Sequence, residues 1–303
     1  MSLGPPTTTG APIVDGDPRS MALAPVLDTR IAWWEVGQGR PVLFLHGNPT
    51  SSFLWRHVIP PVSLRARCLA PDLAGMGRSD PMPDDDYSYL EHRRYLDAWI
   101  ELMRFDEPLV LVVHDWGSVL GMDYARRNPG KVAGIVHMEA IIAERRYSDW
   151  RPQAAEWFAA IRSAQGEKLI IEDNLFIESI LPSGVLRRLT PVEHDVYRHP
   201  FRAPARRRPT LVWPRELPVE GKPETMVRLI AANARFMRDS DMPKHLIVAE
   251  PGSMVKGAIL DECRKWRNQS ESSARGMHFM AEDSPREIAA AVDAFLDRLE
   301  DKR

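Results

Sequence analysis

Residues 109–113 read Leu-Val-Leu-Val-Val, and His114, Asp115, Trp116, Gly117 and Ser118 follow at once. An apolar run of this length with no polar alternation describes a strand covered on both faces, as in the interior of a parallel sheet. Such a strand needs helices above and below, and the chain supplies them. Further short apolar runs at 31–36, 41–45, 67–71, 134–138 and 246–249 read as strands. Residues 89–103 carry Leu96, Trp99, Ile100 and Met103 at helical spacing, 118–127 is helix-patterned, and 285–299 places Ile288, Val292 and Phe295 on one face. Strands alternating with helices predict βαβ units and an α/β architecture. Gly37-Gln38-Gly39 reads as a hairpin turn between the first two strands, and the glycines of Asp72-Leu73-Ala74-Gly75-Met76-Gly77 permit a tight backbone turn.

The alternation stops between residues 142 and 219. That stretch is helical in pattern, rich in proline, and carries Trp150, Trp157, Phe158, Phe176, Phe201 and Trp213. It is expected to be a helical cap over the carboxyl edge of the sheet, where open α/β sheets bind ligands. The core domain then comprises 21–141 and 220–303. Residues 1–20, rich in Thr, Pro and Gly, read as a flexible tail; they lack the apolar centre of an ordinary signal peptide.

Charge and cysteines narrow the function classes. A formal net charge of −2 over 303 residues offers no basic field for nucleic acid or an anionic membrane. Arg206-Arg207-Arg208 reads as a solvated cluster rather than an anion site. Only Cys68 and Cys263 occur, without CxxC spacing, so neither a disulfide framework nor a zinc site is expected. Cys68 lies in an apolar run and reads as a buried free thiol. A reducing, cytoplasmic setting follows, and no apolar run approaches a membrane span.

The strand ending at Val113 enters a sharp turn and then a helix, the setting of a nucleophile elbow, with Asp115 where serine is the familiar occupant. Asp is also a good helix N-cap, so the residue alone does not decide. Three other elements do. Phe44-Leu45-His46-Gly47-Asn48-Pro49 follows a strand, and its glycine lets backbone N–H groups approach a reacting oxygen. Val136-His137-Met138-Glu139 puts a carboxylate directly after a strand, and Gly276-Met277-His278-Phe279 puts a histidine just before the last helix. Nucleophile, acid and histidine thus occur in the chain order of this fold's triads.

The chemistry of an Asp nucleophile is specific. A serine that attacked a saturated carbon would be left as an ether, which water does not readily cleave. A carboxylate is left as an ester, which activated water hydrolyses at its carbonyl. His278 is expected as the general base for that water, with Glu139 orienting its ring. The backbone N–H groups of Asn48 and Trp116 would stabilise the oxyanion.

His46-Gly47-Asn48-Pro49-Thr50-Ser51-Ser52, residues 72–79, His114 to Ser118, Met138-Glu139-Ala140 and residues 278–285 together resemble the haloalkane dehalogenases, specifically the subfamily whose acid follows the sixth strand. The resemblance runs from about residue 30 to 300 and includes 173–176 and 209–214 in the cap. It implies the α/β-hydrolase fold: a mostly parallel eight-stranded sheet, flanking helices and an inserted helical cap. It also implies Asp115 as nucleophile, His278 as base, Glu139 as acid, and Asn48 with Trp116 as the halide-binding pair. Phe158, Phe176, Trp213, Pro214, Leu217 and Met254 match pocket-lining positions, and Gly184 a tunnel position often filled by a larger residue. The implied partners are a small halogenated alkane, water and halide, with no metal or organic cofactor, in a monomer or weak homo-oligomer.

Several alternatives stay open. Glu250 also follows a strand, at a position where many hydrolases of this fold keep their acid. His46 and His114 are expected to hydrogen-bond locally. An epoxide hydrolase shares the Asp nucleophile but needs cap tyrosines, for which Tyr147 and Tyr197 are the candidates. Residues 161–168 and 55–60 resemble coelenterazine-using luciferases, which share the triad residues. A non-catalytic ligand-binding protein on the same fold is a reading of a different class.

Overall fold

The computed structural model describes residues 8–301. Nine strands form one sheet: β1 (Thr9–Gly10), β2 (Ala22–Val26), β3 (Thr29–Val36), β4 (Arg40–Leu45), β5 (Ala66–Pro71), β6 (Leu109–Asp115), β7 (Val132–Ala140), β8 (Lys244–Pro251) and β9 (Gln269–Gly276), in the order β1-β2-β3-β5-β4-β6-β7-β8-β9. From β5 to β9 every pairing is parallel, whereas β1, β2 and β3 are antiparallel additions at one edge. As the apolar run foretold, all seven residues of β6 are buried.

The helices Tyr89–Met103, Trp116–Arg127 and Pro285–Glu300 correspond to the three periodic segments. The first is capped by Ser88, whose hydroxyl accepts from the Glu91 N–H, and ends at Arg104 in the left-handed region. Two elements carried weak signals. Pro25 interrupts the β2 pattern, and β9 is a largely polar edge strand, Gln-Ser-Glu-Ser-Ser-Ala-Arg-Gly, paired only with β8.

Four expectations are corrected. The sheet has nine strands rather than eight, and the added edge strand, β1, comes from the segment expected to be a flexible tail. Residues 8–20 are docked: the Ala11 N–H donates to the Met21 carbonyl, Val14 is buried, and buried Asp17 pairs with Arg19 and Arg78. Residues 1–7 of that proposed tail lie outside the described residues. Gly37-Gln38-Gly39 does not close a hairpin, because β5 lies between β3 and β4. The turn instead passes tightly over the entry to β5; a Cβ on Gly37 would lie 2.1 Å from the Ala66 carbonyl oxygen. The arginine triplet is braced rather than freely solvated. Arg207 donates to the carbonyls of Phe201, Ile171 and Arg202, tying cap turns together.

Cys68 and Cys263 are both buried and free, and burial pushes each thiol up to about 12. No helix is long and apolar enough to cross a membrane among the described residues.

Residues 142–219 hold no strand among the described residues; their longer helices are Pro152–Arg162, Pro191–Arg198 and Arg208–Glu216. The two ends of this segment meet at a bridge between Arg145 and Val219. In the sheet, β4 is flanked by β5 on one side and β6 on the other, so the chain order reverses there. A crevice opens beyond the carboxyl ends at such a point. Asn48 leaves β4 and Asp115 ends β6 at that crevice, and the helical segment covers it.

Candidate active site

Asp115 ends β6 with φ 49° and ψ −126°, a backbone conformation few non-glycine residues adopt. Helix Trp116–Arg127 begins at the next residue, yet the Asp115 side chain makes no capping hydrogen bond. The carboxylate is not serving the helix. It faces the crevice, where Oδ2 accepts from the Asn48 backbone N–H at 2.8 Å and the Trp116 N–H also stabilises the charge. Strain of this kind persists only where surrounding structure enforces it. Two glycines make the turn possible. A Cβ on Gly47 would lie 2.2 Å from Asp115 Oδ2, and one on Gly117 would lie 2.3 Å from the Leu45 carbonyl oxygen.

His278 faces this carboxylate with Nε2 3.6 Å from Asp115 Oδ1, too far for a direct hydrogen bond. Its Nδ1 donates to Glu139 Oε2 at 3.3 Å, leaving Nε2 as the basic nitrogen. Glu139 is fully buried and also holds φ 44°. Its oxygens accept from the backbone N–H groups of Ser253, Met254 and Val255, which follow β8. Glu250 is exposed, so the carboxylate that reaches the histidine is Glu139.

Burial works against both ionised forms. It raises the Asp115 pKa above the ordinary carboxylate value, although His278 and the two backbone donors oppose it. In His278, burial disfavours the imidazolium, but the Glu139 hydrogen bond and the Asp115 charge outweigh it and hold the pKa above the usual value.

The neighbouring histidines are structural. His46 Nδ1 donates to the Gly47 carbonyl, and its Nε2 accepts from the Leu73 N–H. His114 Nε2 donates to the His278 carbonyl at 2.7 Å, so His114 fixes the backbone that carries the His278 ring. That contact joins residues 164 apart in sequence and left no local signal.

Above the triad is a cavity of about 240 Å³. Asn48, Asp115, Trp116 and His278 form its floor, and Phe158, Phe176, Gly184, Pro214, Leu217 and Met254 line it as expected. Trp213 does not line it. Its ring lies 4.4 Å from that of Trp116 and 4.3 Å from that of His92, so it backs the floor indole. Gly184 does not simply leave space: a Cβ there would lie 2.7 Å from the Phe279 ring, so close packing uses the missing side chain. Trp150, Trp157, Met277 and Phe279 also line the cavity. Met277 and Phe279 were legible as flanks of His278, whereas the two tryptophans were indistinguishable from cap core. Tyr147 and Tyr197 are absent from the lining; Tyr197 is buried and donates to Glu282.

Two polar groups on the floor are unspent. The Asn48 side-chain amide makes no hydrogen bond among the described residues, and its Oδ1 is buried without a partner. The Trp116 indole N–H, beside it in the lining, has no protein acceptor among them either. N–H donors left open towards a cavity in this way are available to an anion. No cluster of His, Cys, Asp and Glu suited to a metal ion occurs among the described residues.

Residues 40–171 match the alpha/beta hydrolase fold family. A haloalkane dehalogenase of Sphingobium indicum is 47% identical, covering 89% of this chain and 93% of that one. The chain belongs to the haloalkane dehalogenase family. The crystal structure of the haloalkane dehalogenase DbeA from Bradyrhizobium elkani superposes with a TM-score of 0.90 at 35% identity, covering 94% of this chain and 99% of that one. The coelenterazine h 2-monooxygenase of Renilla reniformis is also similar, 38% identical over 90% of this chain and 89% of its own. This haloalkane dehalogenase family member therefore shares its scaffold with a relative of different named chemistry.

Proposed function

We propose that this chain hydrolyses halogenated alkanes to alcohol, halide and a proton through a covalent ester on Asp115. Asp115 Oδ1 attacks the halogen-bearing carbon while Oδ2 stays in its cradle of backbone N–H groups. The carbon–oxygen bond forms as the carbon–halogen bond breaks, and the electron pair leaves with the halide. The Asn48 amide and the Trp116 indole N–H donate to that departing anion. His278 Nε2 then takes a proton from water, whose oxygen adds to the ester carbonyl. The backbone N–H groups of Asn48 and Trp116 hold the oxyanion; its collapse breaks the ester bond, the leaving oxygen takes the remaining proton of the added water to become the alcohol, Asp115 is left ionised, and the proton on His278 passes to solvent. Glu139 keeps Nδ1 protonated and stabilises the imidazolium.

The observation that carries this reading is that the Asn48 amide and the Trp116 indole line a largely apolar cavity beside the Asp115 carboxylate, with neither side-chain N–H hydrogen-bonded among the described residues. An epoxide hydrolase would need a tyrosine to protonate the leaving oxygen, and none lines the cavity among the described residues. Similarity to the Renilla enzyme supports a second reading, oxygenation of coelenterazine.

Halide release from 1-bromobutane and 1,2-dibromoethane, with light emission from coelenterazine measured in parallel, separates the two. The first reading requires halide release by wild type. It also requires His278→Ala to stall as an alkyl-enzyme, about 56 Da heavier with 1-bromobutane, because the ester forms but is not hydrolysed. Wild type that releases no halide from either compound refutes the reading. Halide release with no adduct in the variant refutes the step assignment.

A further inference from the structure

Arg145 is buried, 3% exposed, and among the described residues it has no carboxylate as an ion-pair partner. A buried arginine with no direct ion pair is uncommon; Asp149 and Glu139 attract its charge from beyond ion-pair distance, but burial outweighs them and lowers its pKa from the ordinary value. Its hydrogen bonds go to one place. Nη1 donates to the Met254 carbonyl at 2.9 Å, and Nη2 to the Ser253 carbonyl at 3.4 Å. The N–H groups of these two residues donate to Glu139, Ser253 at 3.1 Å and Met254 at 2.8 Å. The same loop is thus held from one side by a guanidinium fork and gives its amides to the triad acid on the other.

The anchor is itself rigid. Arg145 begins the cap segment; its backbone N–H donates to the Pro218 carbonyl, and it bridges Val219 at the cap's far end. The guanidinium lies 5.8 Å from the centre of the Trp150 ring, a wall of the cavity. Cap base, the loop that holds the acid and the cavity wall therefore converge on one side chain.

From this geometry we infer that Arg145 is a positioning residue for the second half-reaction. It fixes the 253–255 amides, the amides fix Glu139, and Glu139 fixes the His278 tautomer and ring that activate water. Arg145 touches neither the attacking oxygen nor the halide pair, so the alkylation step does not depend on it. The inference rests on the two-step dehalogenase reading.

Rapid-quench mass spectrometry with 1-bromobutane reads the two steps separately: ester formation on Asp115 and its disappearance. In Arg145→Met the ester forms at a rate within about threefold of wild type. Its hydrolysis slows about tenfold or more, as loss of charge-assisted hydrogen bonds would produce. The adduct therefore accumulates, and kcat falls. Arg145→Lys keeps the cation but replaces the planar two-nitrogen fork with a single ammonium nitrogen, and gives an intermediate rate. If Arg145 acts through the acid, then in a Glu139→Gln background the Arg145→Met change adds less than about threefold to the hydrolysis defect.

Wild-type turnover with Arg145→Met hydrolysing its ester at the wild-type rate overturns the inference and leaves the proposed function standing. Equal slowing of both steps, or a full additional loss in the Glu139→Gln background, also overturns it, since a packing defect behaves in that way. Should Arg145→Met fail to fold, the Lys variant alone decides by the same split between steps. Absence of any ester in wild type and in His278→Ala would instead overturn the two-step reading.

Discussion

Glu216 sits at the end of the cap helix Arg208–Glu216 and accepts a hydrogen bond from the Tyr89 N–H, at the start of helix Tyr89–Met103. It has no cationic partner within ion-pair reach among the described residues. Burial pushes its pKa up from 4.5 to about 7, the Tyr89 N–H opposing and Asp86 adding to the shift. Because the folded pKa lies above the unfolded one, ionisation disfavours the folded state. The stability tied to this group is fully present below about pH 4.5 and is lost as pH rises through about 7. Each pKa unit is worth about 1.4 kcal/mol, so complete ionisation removes about 3 kcal/mol. Glu216→Gln keeps an oxygen for the Tyr89 N–H and cannot ionise. Urea unfolding of both proteins at pH 4.5, 6, 7 and 8.5 should show a small difference at the lowest pH. The variant should then gain a growing advantage, approaching about 3 kcal/mol at pH 8.5. Groups that titrate alike in both proteins cancel in the difference. A pH-independent difference, or wild type becoming relatively more stable with rising pH, would refute the argument. The contact also matters to the site, because the Tyr89 ring lies 6.3 Å from that of Trp116.

Two further outcomes test the floor of the cavity. Trp116→Phe keeps an aromatic ring against Tyr89 and Trp213 but deletes the indole N–H; loss of one hydrogen bond to a charged group predicts about 10- to 100-fold slower alkylation. Its melting temperature should change little, and equal losses of stability and activity would mark the indole as packing only. Gly47→Ala would drive a methyl group to 2.2 Å from Asp115 Oδ2, so the carboxylate or the 46–48 turn must move. Displacement by about an ångström predicts a loss in kcat/KM of about 100-fold in a folded protein, and near-normal halide release would mean the cradle has slack there.

Much of the site was legible because its chemistry is local to strand ends. Asp115 follows an apolar run, Glu139 follows another, and Gly47 precedes the turn after a third; each pairing of residue type and position carries its own reason. The preference for Glu139 over Glu250 was not local in this sense. It came from the resemblance, and the structure supplies its physical reason: the 253–255 amides fold back onto Glu139 while Glu250 stays exposed. Trp213 was expected in the lining because, like Pro214, it matches a pocket position of the family, but a helix turns adjacent residues to different faces, and only Pro214 reaches the cavity.

By itself the order of residues determined the layered architecture and pointed to the proposed nucleophile, since buried parallel strands must be apolar throughout and only a carboxylate becomes an ester when alkylated at a saturated carbon. The folded molecule decided the strand neighbours, the docking of residues 8–20, and the company each polar group keeps. Strand order separates β3 from β4 although only three residues lie between them, because register and partner choice depend on what else packs in the sheet. His114 meets His278, and Arg145 meets Ser253 and Met254, across more than a hundred positions. Contacts at such separation carry no periodicity that a linear reading can detect, and they exist only once the core has closed.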